Sequence, residues 1–185
     1  MSRRAIVLAM LWIVGCGSLP APSIITRTRI VGARVTIEGD PSRAWPLPGE
    51  RVTLSYLVLR ADPSEPLVTS WSACVAGPAV SGIPTCAGDA LAAVPAGPPS
   101  VEPPMFVIDV PDAATLGRSL GVLTLLASCA GGGSPVLDEA SHDVACDAEP
   151  AGRGELSTFT IRVAPDLALA NRHPSIAGET YALVG

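Results

Sequence analysis

The sequence predicts an all-β chain folded as an antiparallel sandwich, and three observations predict it. Strand-length runs such as Arg51–Leu59, Leu67–Val75 and Glu155–Val163 place their side chains on two faces, with the period of a half-buried strand. Nineteen prolines and eighteen glycines separate those runs and disfavour long helices. Six or seven short strands without intervening helices bury their apolar faces by packing two antiparallel sheets together.

Arg27 to Glu38 carries Ile30, Ala33, Val35 and Ile37 among Thr and Arg and reads as an edge strand, broken at Gly32. Pro46-Leu47-Pro48-Gly49-Glu50 is a turn. In the strand Arg51–Leu59 that follows, Val52, Leu54, Tyr56 and Val58 share one face, and Thr53, Ser55, Leu57 and Leu59 share the other. Leu67–Val75 is the next strand. It places Thr69, Trp71 and Ala73 on one face and Ser70, Ser72 and Cys74 on the opposite one, with Trp71 expected in the core. The proline- and glycine-rich stretch 76–104 reads as loop around Cys86, with a short strand at Leu91–Val94. Met105–Val110 is a strand, and Pro111–Arg118 is one helical turn favoured by Pro111 and Asp112. Leu120–Cys129 is almost continuously apolar and reads as a strand buried on both faces, with Leu123 and Leu125 in the core. A long acidic loop follows Gly131-Gly132-Gly133. The last strand, Glu155–Val163, turns Leu156 and Thr158 one way and Phe159, Ile161 and Val163 the other.

The amino terminus sets the address. Arg3 and Arg4 precede ten residues, Ala5–Val14, without charge or proline, a run too short to span a bilayer. It closes on Ile13-Val14-Gly15-Cys16, which resembles a bacterial lipobox. That resemblance implies cleavage before Cys16, a diacylglycerol on its thiol, and insertion into a membrane through the lipid. Residues 1–15 are then a signal peptide, 16–26 a lipidated tether and 27–165 the sandwich. Residues 166–185 are a tail or the start of a second module. In the lipoproteins that the chain resembles, aspartate after the lipidated cysteine often signals inner-membrane retention, so Gly17 at that position implies the outer membrane.

Without residues 1–15 the chain holds ten arginines, no lysine and seventeen acidic residues, a net charge of −7. That balance argues against nucleic acid and against a polybasic hold on lipid, so the anchor is the acyl chains themselves. Four cysteines remain: Cys74, Cys86, Cys129 and Cys146. An even number in an exported chain implies two disulfides, and no Cys-x-x-Cys spacing suggests metal. Cys74, three positions after Trp71, points away from it, which favours Cys86 as its partner and leaves Cys129 for Cys146. The competing pairing, Cys74–Cys129 with Cys86–Cys146, stays open.

Few groups are poised for chemistry. Gly132-Gly133-Ser134-Pro135-Val136 misses a nucleophile elbow at its last position. Glu139 and His142 have a di-metal spacing that matters only on a helix, and Asp138, Glu139, Asp143, Asp147 and Glu149 read as a solvated acidic loop. No catalytic residue, metal site or cofactor is expected.

The arrangement of Pro48-Gly49-Glu50 before a strand, Trp71 with Cys74 on the next, and Asn171-Arg172-His173-Pro174 after the last resembles predicted outer-membrane lipoproteins of high-GC Gram-negative bacteria. Those proteins are built from immunoglobulin-like β-sandwich modules. The resemblance implies that sandwich and a lipid-anchored outer-membrane location, and supplies no catalytic residue. It departs from antibody-type domains, because Arg51–Leu59 has no cysteine for the bridge between sheets. The expected function is a non-enzymatic binding, adhesion or structural module with an envelope protein or glycan as partner. The alternative is an accessory or substrate-binding module of an envelope enzyme.

Overall fold

A computed structural model describes residues 26–80, 84–137, 144–147 and 154–174. Two antiparallel sheets pack against each other. One contains β1 (Arg29–Ile37), β2 (Arg51–Leu59) and β5 (Met105–Asp109), in the order β1-β2-β5. The other contains β3 (Leu67–Ala76), β4 (Cys86–Val94), β6 (Gly121–Ala130) and β9 (Gly154–Arg162), in the order β4-β3-β6-β9. A hairpin of β7 (Pro135–Leu137) and β8 (Val144–Cys146) and a single helical turn, α1 (Ala113–Leu116), complete the elements that bear on the surfaces discussed below. In α1, Asp112 is the N-cap: its carboxylate accepts from the Thr115 amide at 2.8 Å, which also holds its pKa below the usual aspartate range.

Alternation decides which residues face inward. Along β2, Val52, Leu54 and Tyr56 are buried between the sheets while Leu57 and Leu59 are exposed. Along β1 the register against β2 slips between Ile30 and Gly32, so the break expected at Gly32 is a bulge inside one strand. Gly49 closes the turn into β2 at φ 82°, a left-handed conformation that a side chain would strain, and its amide donates to the Val110 carbonyl at 3.0 Å.

The core between the sheets is organised on Trp71, which is 2% exposed. Phe106 stacks on it with ring centroids 5.0 Å apart, and the Tyr56 ring packs against both Phe106 and Phe159. The polar atoms of this cluster form one relay. Trp71 Nε1 donates to Tyr56 Oη at 3.0 Å, Tyr56 Oη donates to Thr124 Oγ1 at 3.3 Å, and Thr124 Oγ1 donates to the Phe159 carbonyl at 3.0 Å. Every donor in this relay therefore finds an acceptor, which makes burial of a phenol and an indole affordable. Burial pushes the Tyr56 hydroxyl above its ordinary range, so it stays protonated and able to donate.

Three expectations from the sequence are corrected. Leu91–Val94 is the end of a nine-residue strand, β4, because pairing with β3 draws the small residues Cys86–Ala90 into the sheet despite their weak β propensity. Leu125 is half-buried on the outer face of β6. Leu123 is buried, but on that same outer face; the residues of β6 that point between the sheets are Val122, Thr124 and Leu126. The stretch after Gly133, expected as loop, holds the β7–β8 hairpin, closed by the reciprocal Ser134–Asp147 backbone and side-chain hydrogen bonds.

Candidate functional site

The strands run between two poles. At the entry pole stand residue 26, the β2–β3 connection, the end of β6 and the start of β9. At the far pole stand the β1–β2 connection, α1, the end of β9 and residues 171–173. β1 alone separates them by about 26 Å at ~3.3 Å per residue.

A cleft of about 860 Å³ opens at the entry pole, bordered by Arg27, Thr28, Asp62, Glu65, Val144 and Glu155 among others. Its carboxylates are used as braces. Glu65 Oε2 accepts from Thr28 Oγ1 at 2.7 Å, and Glu155 Oε1 accepts from the Ile30 amide at 3.3 Å. Asp62 accepts from the amide and hydroxyl of Ser64, the hydroxyl bond being the larger reason its pKa lies below the usual range. Arg60 donates to the Glu65 carbonyl. With each of these acids engaged locally, the cleft is suited to contact with a polar ligand.

The far pole holds a network that sequence reading missed. Arg43, 6% exposed, pairs with Asp40 at 2.9 Å and with Glu50 at 2.6 Å. Burial alone would push the Glu50 carboxyl up. The Arg43 guanidinium and the Leu47 amide, 2.7 Å from Glu50 Oε2, outweigh it and hold the group below its ordinary value. The Ser42 hydroxyl, with Arg43 adding to it, lowers Asp40 in the same way. Onto this corner the chain's later segment is fastened. The amides of Ala44 and Trp45 donate to the Asn171 carbonyl, the His173 amide donates to the Ser42 carbonyl at 2.9 Å, and His173 Nε2 lies 2.7 Å from the Val35 carbonyl oxygen. Arg162 lies over the Trp45 ring at 4.7 Å. The latch residues belong to Asn171-Arg172-His173-Pro174, one of the motifs that carry the family resemblance, and nothing in their local pattern marks the contacts they make. His173 is half-buried against β1.

The cysteines are joined locally, Cys74 to Cys86 with Cα atoms 5.6 Å apart and Cys129 to Cys146 with Cα atoms 5.8 Å apart. Both bridges lie on the outer face of the four-stranded sheet, because Cys74 stands opposite Leu123 in the ladder and Cys129 opposite Val68. The first ties the edge strand β4 to β3 near the far pole, and the second draws the β7–β8 hairpin onto β6 near the entry pole. Gly154 permits that docking: a Cβ there would collide with Val144 of β8. Cys16, Asp138, Glu139, His142, Asp143 and Glu149 lie outside the described residues. Among the described residues, no three His, Cys, Asp or Glu side chains come together in a way that would hold a metal ion. Comparison with protein-family models, with curated proteins and with solved structures gives no match for this chain.

Proposed function

We propose that the protein is a lipid-anchored module of the bacterial cell envelope, held at the outer membrane through Cys16, and that it acts by binding or by spacing rather than by catalysis. The observation that carries this reading is the polar arrangement of the chain. It enters the sandwich at one pole and is latched at the opposite pole by Asn171 and His173. A chain that enters at one end of the sandwich and is fastened at the other keeps the two sets of loops apart, which suits a unit that binds or spaces at a surface. The two disulfides suggest an oxidising, extracytoplasmic compartment, where such staples persist.

The strand order supports the immunoglobulin-like reading. First, second and fifth strands face fourth, third, sixth and last, as strands A, B and E face an extended C, F and G sheet. Trp71 occupies the third-strand position of the buried tryptophan in such domains. The hydroxyls of Tyr56 and Thr124 meet across the sheets where antibody domains place a disulfide. The second reading, an accessory or substrate-binding module of an envelope enzyme, draws on the entry-pole cleft and its Arg27, Asp62 and Glu65 rim.

Metabolic labelling with a palmitate analogue tests the anchor. The unaltered chain is expected to be labelled and to fractionate with outer membrane, and Cys16→Ser is expected to lose both properties. Equal labelling of the two removes the reading.

A further inference from the structure

Alternation along β2 and β5 should leave a polar outer face on the three-stranded sheet, and over its far-pole half it does, with Thr53, Thr36 and the Arg51–Asp109 pair. From Val107, which stands opposite Thr53, toward the entry pole the same face turns apolar. Leu57 is 59% exposed, Met105 65% and Val107 48%, and Leu59 continues the row. Leu57 and Met105 are diagonal neighbours, since Met105 stands opposite Ser55, and Val107 lies two residues further along β5. Four neighbouring apolar side chains make a patch on the order of a few hundred Å², the scale at which exposed apolar surface marks a contact. Arginines border it on the β1 side: Arg29 stands opposite Leu59 and Arg34 opposite Ser55, both exposed and neither in an ion pair among the described residues.

We infer that this apolar, arginine-edged face docks onto the anionic phospholipid surface to which the chain is tethered. The inference rests on the lipid anchor proposed above and adds the face by which the module leans on the bilayer. Three observations select lipid as the occupant. The chain preceding β1 enters at Arg29, on the edge of this face. The ten steps from Cys16 to Thr26 reach at most about 35 Å and typically about 17 Å, so the anchored lipid holds the patch within reach of the headgroups. The charge is complementary: Arg29 and Arg34 meet anionic headgroups while the apolar row enters the interface, in a chain whose overall charge is negative. A second copy fits less well, because a two-fold pairing of this face would set arginines against arginines, and its one acid, Asp109, already pairs with Arg51 at 3.1 Å.

The test uses the chain from Gly17 to Gly185, which keeps every strand of both sheets and lacks the lipidated cysteine. It is mixed with phosphatidylcholine vesicles made with and without phosphatidylglycerol, and co-sedimentation is measured. Binding is expected only with phosphatidylglycerol, weakening with salt and by about fivefold for each of Arg29→Glu and Arg34→Glu. Leu57→Glu with Met105→Glu is expected to abolish it, and Val136→Glu, on the β7–β8 hairpin, to leave it unchanged. Circular dichroism of each variant confirms that the fold is kept. Binding that is absent, that ignores phosphatidylglycerol, or that falls equally in Val136→Glu overturns the inference. So does a dimer in sedimentation velocity that Leu57→Glu dissociates, which assigns the face to a second copy. Because the probe carries no lipid, its failure leaves the Cys16 labelling result standing, and failure of that labelling leaves the vesicle result standing.

Discussion

On the outer face of the four-stranded sheet, Leu123 is 1% exposed beside the Cys74–Cys86 bridge, and Cys129 lies beneath the hairpin that its own bridge holds down. On the outer face of the three-stranded sheet, Leu57 and Met105 stand in solvent. Both rows arise from the same alternation, and both carry large apolar side chains. They differ in what covers them. Connections long enough to fold back exist on the disulfide-bearing sheet, and each is fixed covalently where it touches the row. Covering an outer face this way costs chain entropy, which each bridge removes in advance from the unfolded state. The difference teaches that solvent contact at Leu57 does not follow from its position in the alternation. It follows from the lack of a described segment tied over it.

The largest expected effect contrasts the two rows directly. Leu123→Ala should destabilise the domain by about 3–4 kcal/mol, because a buried leucine loses both its transfer energy and its packing partners. Leu57→Ala should stay within about 0.5 kcal/mol, as exposed substitutions do. Urea unfolding of both variants measures the contrast, and equal losses would break it. Next comes the covering itself. Replacing Cys129 and Cys146 by alanine should cost about 3 kcal/mol, given a sequence separation of 17 residues in the closed loop. The same variant should also speed proteolysis of the segment between them. A midpoint in urea unchanged from the unaltered protein would show that the hairpin stays down without its bridge.

The smallest effect concerns pH, and asks whether buried charge at the far pole obeys the same logic of coverage. Glu50 has an ordinary pKa of 4.5, and its folded value is lower. A lowered carboxyl stabilises the folded state above its unfolded pKa, and the contribution disappears as pH falls through the folded value. The urea midpoint should therefore drop on acidification below about pH 4.5. Glu50→Gln should lower stability at neutral pH by about 1–2 kcal/mol, because Arg43 loses a charged partner while still buried. It should also flatten the acid limb. An acid limb with the same slope in both proteins would remove Glu50 from the account.

Much of this architecture is written locally. Strong alternation over Arg51–Leu59 fixes which residues enter the core. Asp112 marks the start of α1, and Gly49 marks a turn that only a residue free to take positive φ closes without strain. The phase of Leu67–Val75 also sets Cys74 on the face opposite Trp71, next to Cys86. What the sequence left undecided has a common cause. Leu120–Cys129 is apolar on both faces, so its periodicity carries no phase, and only docking against β2 and β3 determined that Val122, Thr124 and Leu126 point inward while Leu123 and Leu125 point out. The weakly β-prone Cys86–Ala90 became strand because a paired neighbour supplied hydrogen bonds that its own side chains do not encode. The Trp71–Tyr56–Thr124 relay and the latch of Asn171 and His173 onto the Arg43 corner join residues 15 to 138 positions apart. Such contacts depend on the relative placement of two sheets and their poles, which no local pattern in the chain specifies.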